Sequence, residues 1–367
     1  GEWAGGWSDW LPESADAVQG VGGHRVDKID ETVGHGYLHG GWSDRLLIVG
    51  SRRPIDHSTP GSGGLVRGWG MRVAITGSTG LIGSSLVQAL WWRGDEVVRL
   101  TRRDPISPDE RRVDIRSHTI HGPGLEDVDA VVNLAGAGIA DARWTEARKQ
   151  EILESRINAA RTVVAHLSPD GRCQRLLQGS AIGFYGNTPP GETADEESPR
   201  GDGFLADVVV AWEQAAADAP VSTAFVRTGH VMTPRGGYIG RQLILFKAGL
   251  GGRMGDGSQR ISWISLDDQI RAMLFLLDQP DITGPVNLTA PEPVSNKRFT
   301  HALGVALHRP TVLPVPLPAL RLVMGNEMVD EAILSDQAIR PSRLLDAGFT
   351  FLDTQVEPAM DRLLSNE

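Results

Sequence analysis

The chain has 367 residues, of which 40% are hydrophobic and 22% charged, as in ordinary globular proteins with one large domain or two modest ones. Its formal net charge of −10 provides no basic field for a polyanion, which argues against a nucleic-acid partner. The single cysteine excludes an internal disulfide, and no cysteine or histidine cluster has the spacing of a metal site. No apolar run approaches the roughly 18 residues that span a bilayer, so we expect a cytoplasmic protein without a membrane partner.

Residues 1–70 differ in composition from the rest of the chain. They are rich in Gly, Trp, Ser and Asp and show little periodicity, so they have difficulty burying a core. Because Met71 directly precedes the first strong strand, we hypothesise that the natural product begins there and that residues 1–70 are a disordered or upstream extension. An intact mass of the native protein that includes Gly1 would exclude this. The alternative is an accessory segment that packs through Trp3, Trp7, Trp10 and Trp42.

From Arg72 onward, apolar strand-like runs alternate with segments of helical period, which predicts an α/β fold with a doubly wound parallel sheet. The predicted strands are residues 73–76, 97–101, 130–134, 175–180 and 223–227. The predicted helices are residues 81–92, 145–167 and 204–217, and one that ends at Leu277. The pattern loosens in the glycine-rich segment 236–257. We expect a Rossmann domain over residues 71–283 and a smaller cap on the substrate side over residues 284–367, rich in proline and short helices.

The strongest chemical signal is a glycine motif between the first strand and the first helix. It consists of Gly77, Ser78, Thr79, Gly80, Leu81, Ile82 and Gly83. Gly77 allows a tight turn, Gly80 lets the backbone approach a diphosphate, and Gly83 lets the helix pack closely on the strand. The helix N-terminus adds unpaired N–H groups and the positive end of a dipole. The motif predicts a site for the pyrophosphate of a nicotinamide dinucleotide; the alternative is an ordinary strand-turn-helix.

Two further segments bear on the cofactor. After the second strand, where an NAD enzyme places an acidic residue, the chain has Arg102 and Arg103, which suit a 2′-phosphate by charge and fork geometry. NADP(H) is therefore favoured over NAD(H), unless one or both arginines are solvated surface charges. Leu134, Ala135 and Gly136 follow a later central strand, where ligands bind in open α/β sheets. We expect this loop to contact the cofactor; close packing of the loop is the alternative.

These motifs together resemble the extended short-chain dehydrogenase/reductases, and specifically their atypical epimerase family, which joins the Rossmann fold to a C-terminal domain of unknown function. The likeness runs from Met71 to about Leu364. Besides the glycine motif, it is carried by residues 133–139, 143–145, 155–157, 180–186, 262–268, 309–310, 315–316 and 348–349. The resemblance implies an NAD(P)-binding oxidoreductase or epimerase-like protein, and it suggests a homodimer paired through helices such as 145–167 and 204–217.

The chain departs from that family at the catalytic positions. Working members carry a Tyr, and a Lys four residues later, on the helix after the fifth strand, where the Lys lowers the Tyr pKa for proton exchange. The matching positions here are Leu205 and Val209, and the assisting hydroxyl is replaced by Ala181. Tyr185 is the only tyrosine near the expected active face and the sole catalytic candidate; the alternative is a packed ring. The catalytic residue is otherwise unassigned.

Several residues that follow the cofactor loop, residues 134–136, are candidate substrate contacts. A guanidinium holds a phosphate or carboxylate, and an indole stacks on a ring. The candidates are Arg143, Trp144, Arg156, Tyr185, Arg227 and Trp263. The alternatives are structural ion pairs for the arginines and packing for the aromatic residues. We interpret Asp267 as a helix N-cap and Asp268 as a first-turn residue, and not as a catalytic or metal-binding pair.

Two functional hypotheses follow from the sequence. The first is an NADP(H)-dependent oxidoreductase or epimerase-like enzyme acting on a small, sugar-like or anionic metabolite. The second is a non-catalytic NADP(H)-binding module that senses the cofactor ratio or docks a partner. A standard nucleotide-sugar epimerase is disfavoured, because that chemistry needs the missing Tyr and Lys.

Overall fold

A mostly parallel sheet organises residues 70–365, the part of the chain that the computed structural model describes, apart from the side chain of Arg241. The hypothesis about residues 1–70 falls on residues outside the described part of the chain, with the exception of Gly70. The strands are β1 (Arg72–Thr76), β2 (Glu96–Thr101), β3 (Glu110–Asp114), β4 (Thr119–Ile120), β5 (Ala130–Asn133), β6 (Arg175–Ala181), β7 (Ser222–Thr228), β8 (His230–Thr233), β9 (Arg260–Ile261), β10 (Trp263–Ser265), β11 (Gly284–Leu288) and β12 (Val294–Ser295).

The order across the main sheet is β11-β7-β6-β5-β1-β2-β3-β4, in which only β3 and β4 are antiparallel neighbours. The helices are α1 (Leu81–Arg93), α2 (Glu146–Val164), α3 (Phe204–Gln214), α4 (Gly237–Lys247), α5 (Leu266–Asp278), α6 (Asn296–Ala306), α7 (Leu317–Met324), α8 (Asn326–Ala332), α9 (Ser342–Asp346) and α10 (Val356–Leu364). A short 3₁₀ helix, Ile182–Tyr185, follows β6. Within residues 70–365, no helix is long and apolar enough to cross a membrane.

The predicted doubly wound sheet is confirmed. Its central strands are buried because crossover helices cover it: α1 packs with α5, and α2 packs with α3. In β1, residues Val73, Ala74 and Ile75 have no exposed surface. The first helix, predicted over residues 81–92, is also confirmed; it ends at Arg93, and Gly94 follows in the left-handed conformation, with φ 87°.

Three features of the fold differ from the sequence-based expectations. Strand β3 was not predicted, because its sequence is mostly charged; it lies near the sheet edge, where Arg111 pairs with Asp127. Helix α4 lies inside the glycine-rich segment 236–257. Strand β11 pairs with β7, so the main sheet continues past the boundary expected at residue 283.

The C-terminal residues build a second core beside the sheet. Helices α6 and α10 pack together, and Phe299 and Met360 are fully buried in this core with Trp263 of β10. Helix α5 begins beside it, and its N-cap is Ser265, whose hydroxyl accepts from the backbone N–H of Asp268. The interpretation of Asp267 as the N-cap is therefore wrong, because that carboxylate pairs with Arg362 instead.

Candidate cofactor site

The glycine loop leaves no room for side chains where β1 meets α1. A Cβ added to Gly83 would lie 2.1 Å from the carbonyl oxygen of Gly77, and one added to Gly77, with φ +65°, would lie 2.9 Å from the Leu134 carbonyl carbon. Helix α1 starts after Gly80 without a side-chain cap and without an acidic residue in its first turn. Its N-terminal dipole is therefore uncompensated, which fits the diphosphate of a dinucleotide.

A side-chain network fixes the neighbouring loop, residues 134–136. The Thr76 hydroxyl accepts from the N–H groups of Leu134 and Ala135 at 3.0 and 3.1 Å, and it donates to Asn133 Oδ1 at 2.5 Å. Asn133 Nδ2 then donates to Gln178 Oε1 at 2.9 Å. The network joins the carboxyl ends of β1, β5 and β6. Thr76 and Gln178 were not predicted as part of the site, because their signal in the sequence is only a polar residue within an apolar strand.

An open cavity of about 420 Å³ lies beyond the carboxyl ends of β2 and β3, against α2. Its lining residues are Arg102, Arg112, Val113, Asp114, Ile115, Arg116, Glu151, Glu154, Ser155 and Asn158. Within the described residues, the Arg102 side chain makes no hydrogen bond or ion pair. Besides this guanidinium, the cavity wall carries two further arginines, three carboxylates, and the small polar side chains of Ser155 and Asn158 from α2. The arginines fit the phosphate of a phosphorylated ribose.

The neighbouring Arg103 is placed differently. Its guanidinium makes a two-pronged ion pair with Glu110, at 2.9 and 2.6 Å, and it does not line the cavity. The pKa of Glu110 is lowered, first by the Ile106 backbone N–H and then by Arg103. Because its fork geometry is already used, Arg103 is not available to a 2′-phosphate in the way that Arg102 is.

Polar side chains at the carboxyl ends of β6 and β7 form a buried network. Arg227 donates to both carboxylate oxygens of Glu213 at 2.8 Å, and its Nη1 donates to the Tyr185 hydroxyl at 2.9 Å. Ser180 Oγ donates to Glu213 at 2.6 Å, and the Tyr185 hydroxyl donates to Asn287 Oδ1 at 2.8 Å. Burial raises the pKa of Tyr185 to about 12. This phenol is 97% covered in the fold, so the structure does not support Tyr185 as a proton donor or Arg227 as a substrate contact.

The remaining substrate candidates have different surroundings. Arg143 is exposed, and its Nη1 donates to the Leu322 carbonyl at 3.3 Å. Trp144 donates to the Ile139 carbonyl at 2.8 Å, and its ring meets Phe204 edge-on with centroids 5.0 Å apart. Both border the segment that follows the cofactor loop. Trp263 is fully buried in the C-terminal core, so it is not a substrate contact.

The start of α3 is capped from the C-terminal region. Glu331 of α8 accepts from the backbone N–H groups of Phe204 and Leu205 at 3.0 and 2.9 Å. A carboxylate at a helix N-terminus is favoured by the helix dipole. The contact brings α8 to Leu205, the position at which the family resemblance implies a Tyr. No signal in the sequence connects residues so far apart.

Among residues 70–365, no group of three or more His, Cys, Asp or Glu side chains has a metal-binding arrangement.

Comparison with known proteins identifies similar chains. The model of the NAD dependent epimerase/dehydratase family matches residues 73–288, and a domain of unknown function, DUF1731, matches residues 315–363. An epimerase family protein of Mycobacterium bovis is 44% identical over 286 residues, which cover 77% of this chain and 94% of that protein.

Two solved structures share this fold. The human epimerase family protein SDR39U1 (isoform 2), solved with NADPH, is 30% identical with a TM-score of 0.74, covering 81% of this chain and 100% of that one. The UDP-glucose 4-epimerase of Thermus thermophilus, solved with NAD, is 21% identical with a TM-score of 0.62, covering 80% and 98%. The second likeness concerns the fold alone.

Proposed function

Because this chain belongs to the NAD dependent epimerase/dehydratase family and shares its NAD(P)-binding fold, we propose that it binds NADP(H) and transfers hydride between this cofactor and a small metabolite. The observation that carries the proposal is the glycine loop, where two Cβ positions are blocked by backbone and the first turn of α1 has no cap. The bound cofactor supplies or accepts the hydride. The residues of the chain hold it and shape the space beside it.

The preference for NADP(H) rests on Arg102. This side chain lines the open cavity at the carboxyl ends of β2 and β3, whereas Arg103 is paired with Glu110. A free guanidinium beside an adenosine site recognises a 2′-phosphate with charge-assisted hydrogen bonds. The NADPH of the human relative is consistent with this assignment.

Dissociation constants for NADPH and NADH test the assignment. Arg102→Gln is expected to weaken NADPH binding between about tenfold and a hundredfold, the range for a lost charge-assisted hydrogen bond, and to leave NADH binding unchanged. Arg103→Gln is the control at the neighbouring position, and we expect it to lower stability more than NADPH affinity, because Glu110 loses its two-pronged ion pair and keeps only Arg99 and the Ile106 N–H among the partners described here. An equal loss of NADPH and NADH affinity in Arg102→Gln would exclude the 2′-phosphate role.

Proton exchange follows a different route from that of standard family members. Leu205 and Val209 occupy the positions of the Tyr and Lys on α3, and the Tyr185 phenol is buried. We propose that the proton moves to or from the substrate itself or water. Arg143, exposed beyond the cofactor loop, is the group we assign to a sugar-like or anionic substrate.

A second candidate function is an NADP(H)-binding module without turnover, which is favoured by the same absence of an acid-base pair on α3. Absorbance at the reduced nicotinamide band, followed with a panel of small metabolites, separates the two. Turnover with any metabolite supports the enzyme. Saturable NADPH binding without turnover, together with a partner that binds only in the presence of the cofactor, supports the module.

A further inference from the structure

Arg156 of α2 lies directly beneath the cofactor loop, on the side that faces α3. Its Nη1 donates to the carbonyl oxygens of Ala137 and Ile152 at 3.0 and 2.9 Å. A Cβ added to Gly136 would lie 3.1 to 3.4 Å from the Cγ, Cζ and Nε atoms of Arg156, so the loop backbone rests on this side chain. On its other side, the guanidinium carbon lies 5.1 Å from the centroid of the Trp212 ring.

The Arg156 side chain is partly buried and has no carboxylate partner within the described part of the chain. Burial, and next the charge of Arg148, lower the pKa of Arg156 to about 10, which leaves it charged at neutral pH. The indole N–H of Trp212 is buried and likewise has no hydrogen-bond partner among residues 70–365. A partly buried cation without a counter-charge is costly. In this crevice between α2 and α3, the charge of Arg156 therefore lacks a counter-charge and the Trp212 N–H lacks an acceptor, although Arg156 Nη1 is paired with two backbone carbonyls.

The sheet order indicates which part of a dinucleotide reaches this crevice. The cavity lined by Arg102 lies at the β2 and β3 ends, the glycine loop follows β1, and Trp212 packs on Gly179 of β6. A dinucleotide crosses such an edge with one nucleotide on each half. Two neighbouring residues of α2 face these two halves. Ser155 lines the cavity that contains Arg102, whereas Arg156 faces α3.

We propose that Arg156 binds the nicotinamide half of the cofactor, donating hydrogen bonds to oxygen atoms of its ribose and adjoining phosphate. The inference rests on the proposed NADP(H) function and extends it. The residue brings a positive charge from α2 to the half of the site where α3 lacks the Tyr and Lys of the family and carries Leu205 and Val209. Trp212 supplies the flat surface on which the guanidinium is held.

Calorimetric titration with two ligands tests this role. NADPH contains the nicotinamide nucleotide, whereas 2′,5′-ADP contains only the adenosine half with its phosphates. We expect Arg156→Gln to weaken NADPH binding between about tenfold and a hundredfold and to leave 2′,5′-ADP binding unchanged. Arg161→Gln, the same change at an exposed position of α2, is expected to affect neither ligand.

Three outcomes would overturn the inference. Unchanged NADPH binding in Arg156→Gln would show that the guanidinium does not reach the cofactor. Equal losses for NADPH and 2′,5′-ADP would show that Arg156 only supports the loop. If Arg156→Gln does not fold, Arg156→Lys carries the test, with a smaller loss confined to NADPH expected and a loss shared by both ligands contradicting it. Failure of the unmodified protein to bind NADPH would instead overturn the proposed function.

Discussion

At the carboxyl ends of β1 and β2, polar groups have no partner within the described chain. At the carboxyl ends of β6 and β7, by contrast, the polar groups are hydrogen-bonded to one another. The first region has an uncapped helix N-terminus and the Arg102 side chain facing an open cavity. The second has Arg227, Glu213 and Tyr185 in one buried network. Both regions lie on one edge of one sheet. Polar residues at a sheet edge therefore indicate a ligand site only where the fold leaves them unpaired.

Removing Arg227 tests the claim that the second region serves stability. Arg227→Met leaves Glu213 buried without a counter-charge, so we expect a loss of about 3–5 kcal/mol in the free energy of unfolding, measured with urea. NADPH affinity should not change. Arg227→Met combined with Glu213→Gln is expected to recover part of the loss, because no unpaired charge remains. A loss of NADPH affinity at unchanged stability would place Arg227 in the cofactor site and break the comparison.

Adding one methyl group tests the first region. In Gly83→Ala the new Cβ must displace the Gly77 carbonyl, which is 2.1 Å away, so the loop and the helix N-terminus separate. We expect NADPH to bind about a hundredfold more weakly, equivalent to about 2.7 kcal/mol, as measured by fluorescence titration. Gly183→Ala is the control, since its Cβ would find its nearest neighbour at 3.4 Å. Equal affinities of Gly83→Ala and the unmodified protein would contradict the assigned site.

A smaller effect is expected in the free energy of unfolding at alkaline pH, and it also tests whether the second region is buried. The pKa of Tyr185 is raised by burial to about 12, so the folded protein keeps a proton that the unfolded chain releases near pH 10. The contribution of Tyr185 is therefore complete below pH 10 and disappears as the pH rises towards 12, with about 1 kcal/mol lost at pH 11. Tyr185→Phe should lack this part of the decline in urea unfolding. An identical decline in both proteins would show that the phenol is accessible.

Local sequence patterns predicted the parts of the fold that are formed by neighbouring residues. The glycine motif precedes α1 and Gly94 follows it, and the apolar runs of five strands were recognised because most of their residues are buried in the sheet. Strand β3 and helix α4 were missed, because a charged edge strand and a glycine-containing helix derive their order from packing. The homodimer and the cytoplasmic location stay predictions, which light scattering and cell fractionation will test.

The candidate site was predictable in its backbone and less so in its side chains. Arg102 and Arg103 are equivalent in the sequence, and only the position of Glu110 distinguishes them. Tyr185 is the catalytic candidate in the sequence, but in the fold its hydroxyl is bonded to Asn287, 102 residues away. Glu331 reaches the start of α3 across a similar interval. Such contacts depend on tertiary packing that no local pattern records.

By itself the sequence determined the glycine loop, because a tight turn, a close backbone approach and an uncapped helix are properties of adjacent residues. It also determined that the usual Tyr and Lys are absent from α3. Only the tertiary structure decided which charges are neutralised: Arg103 and Arg227 have carboxylate partners, whereas Arg156 has none within the described chain. The physical reason is that the reactivity of a charged group depends on burial and on partners, and the fold draws those from distant parts of the chain.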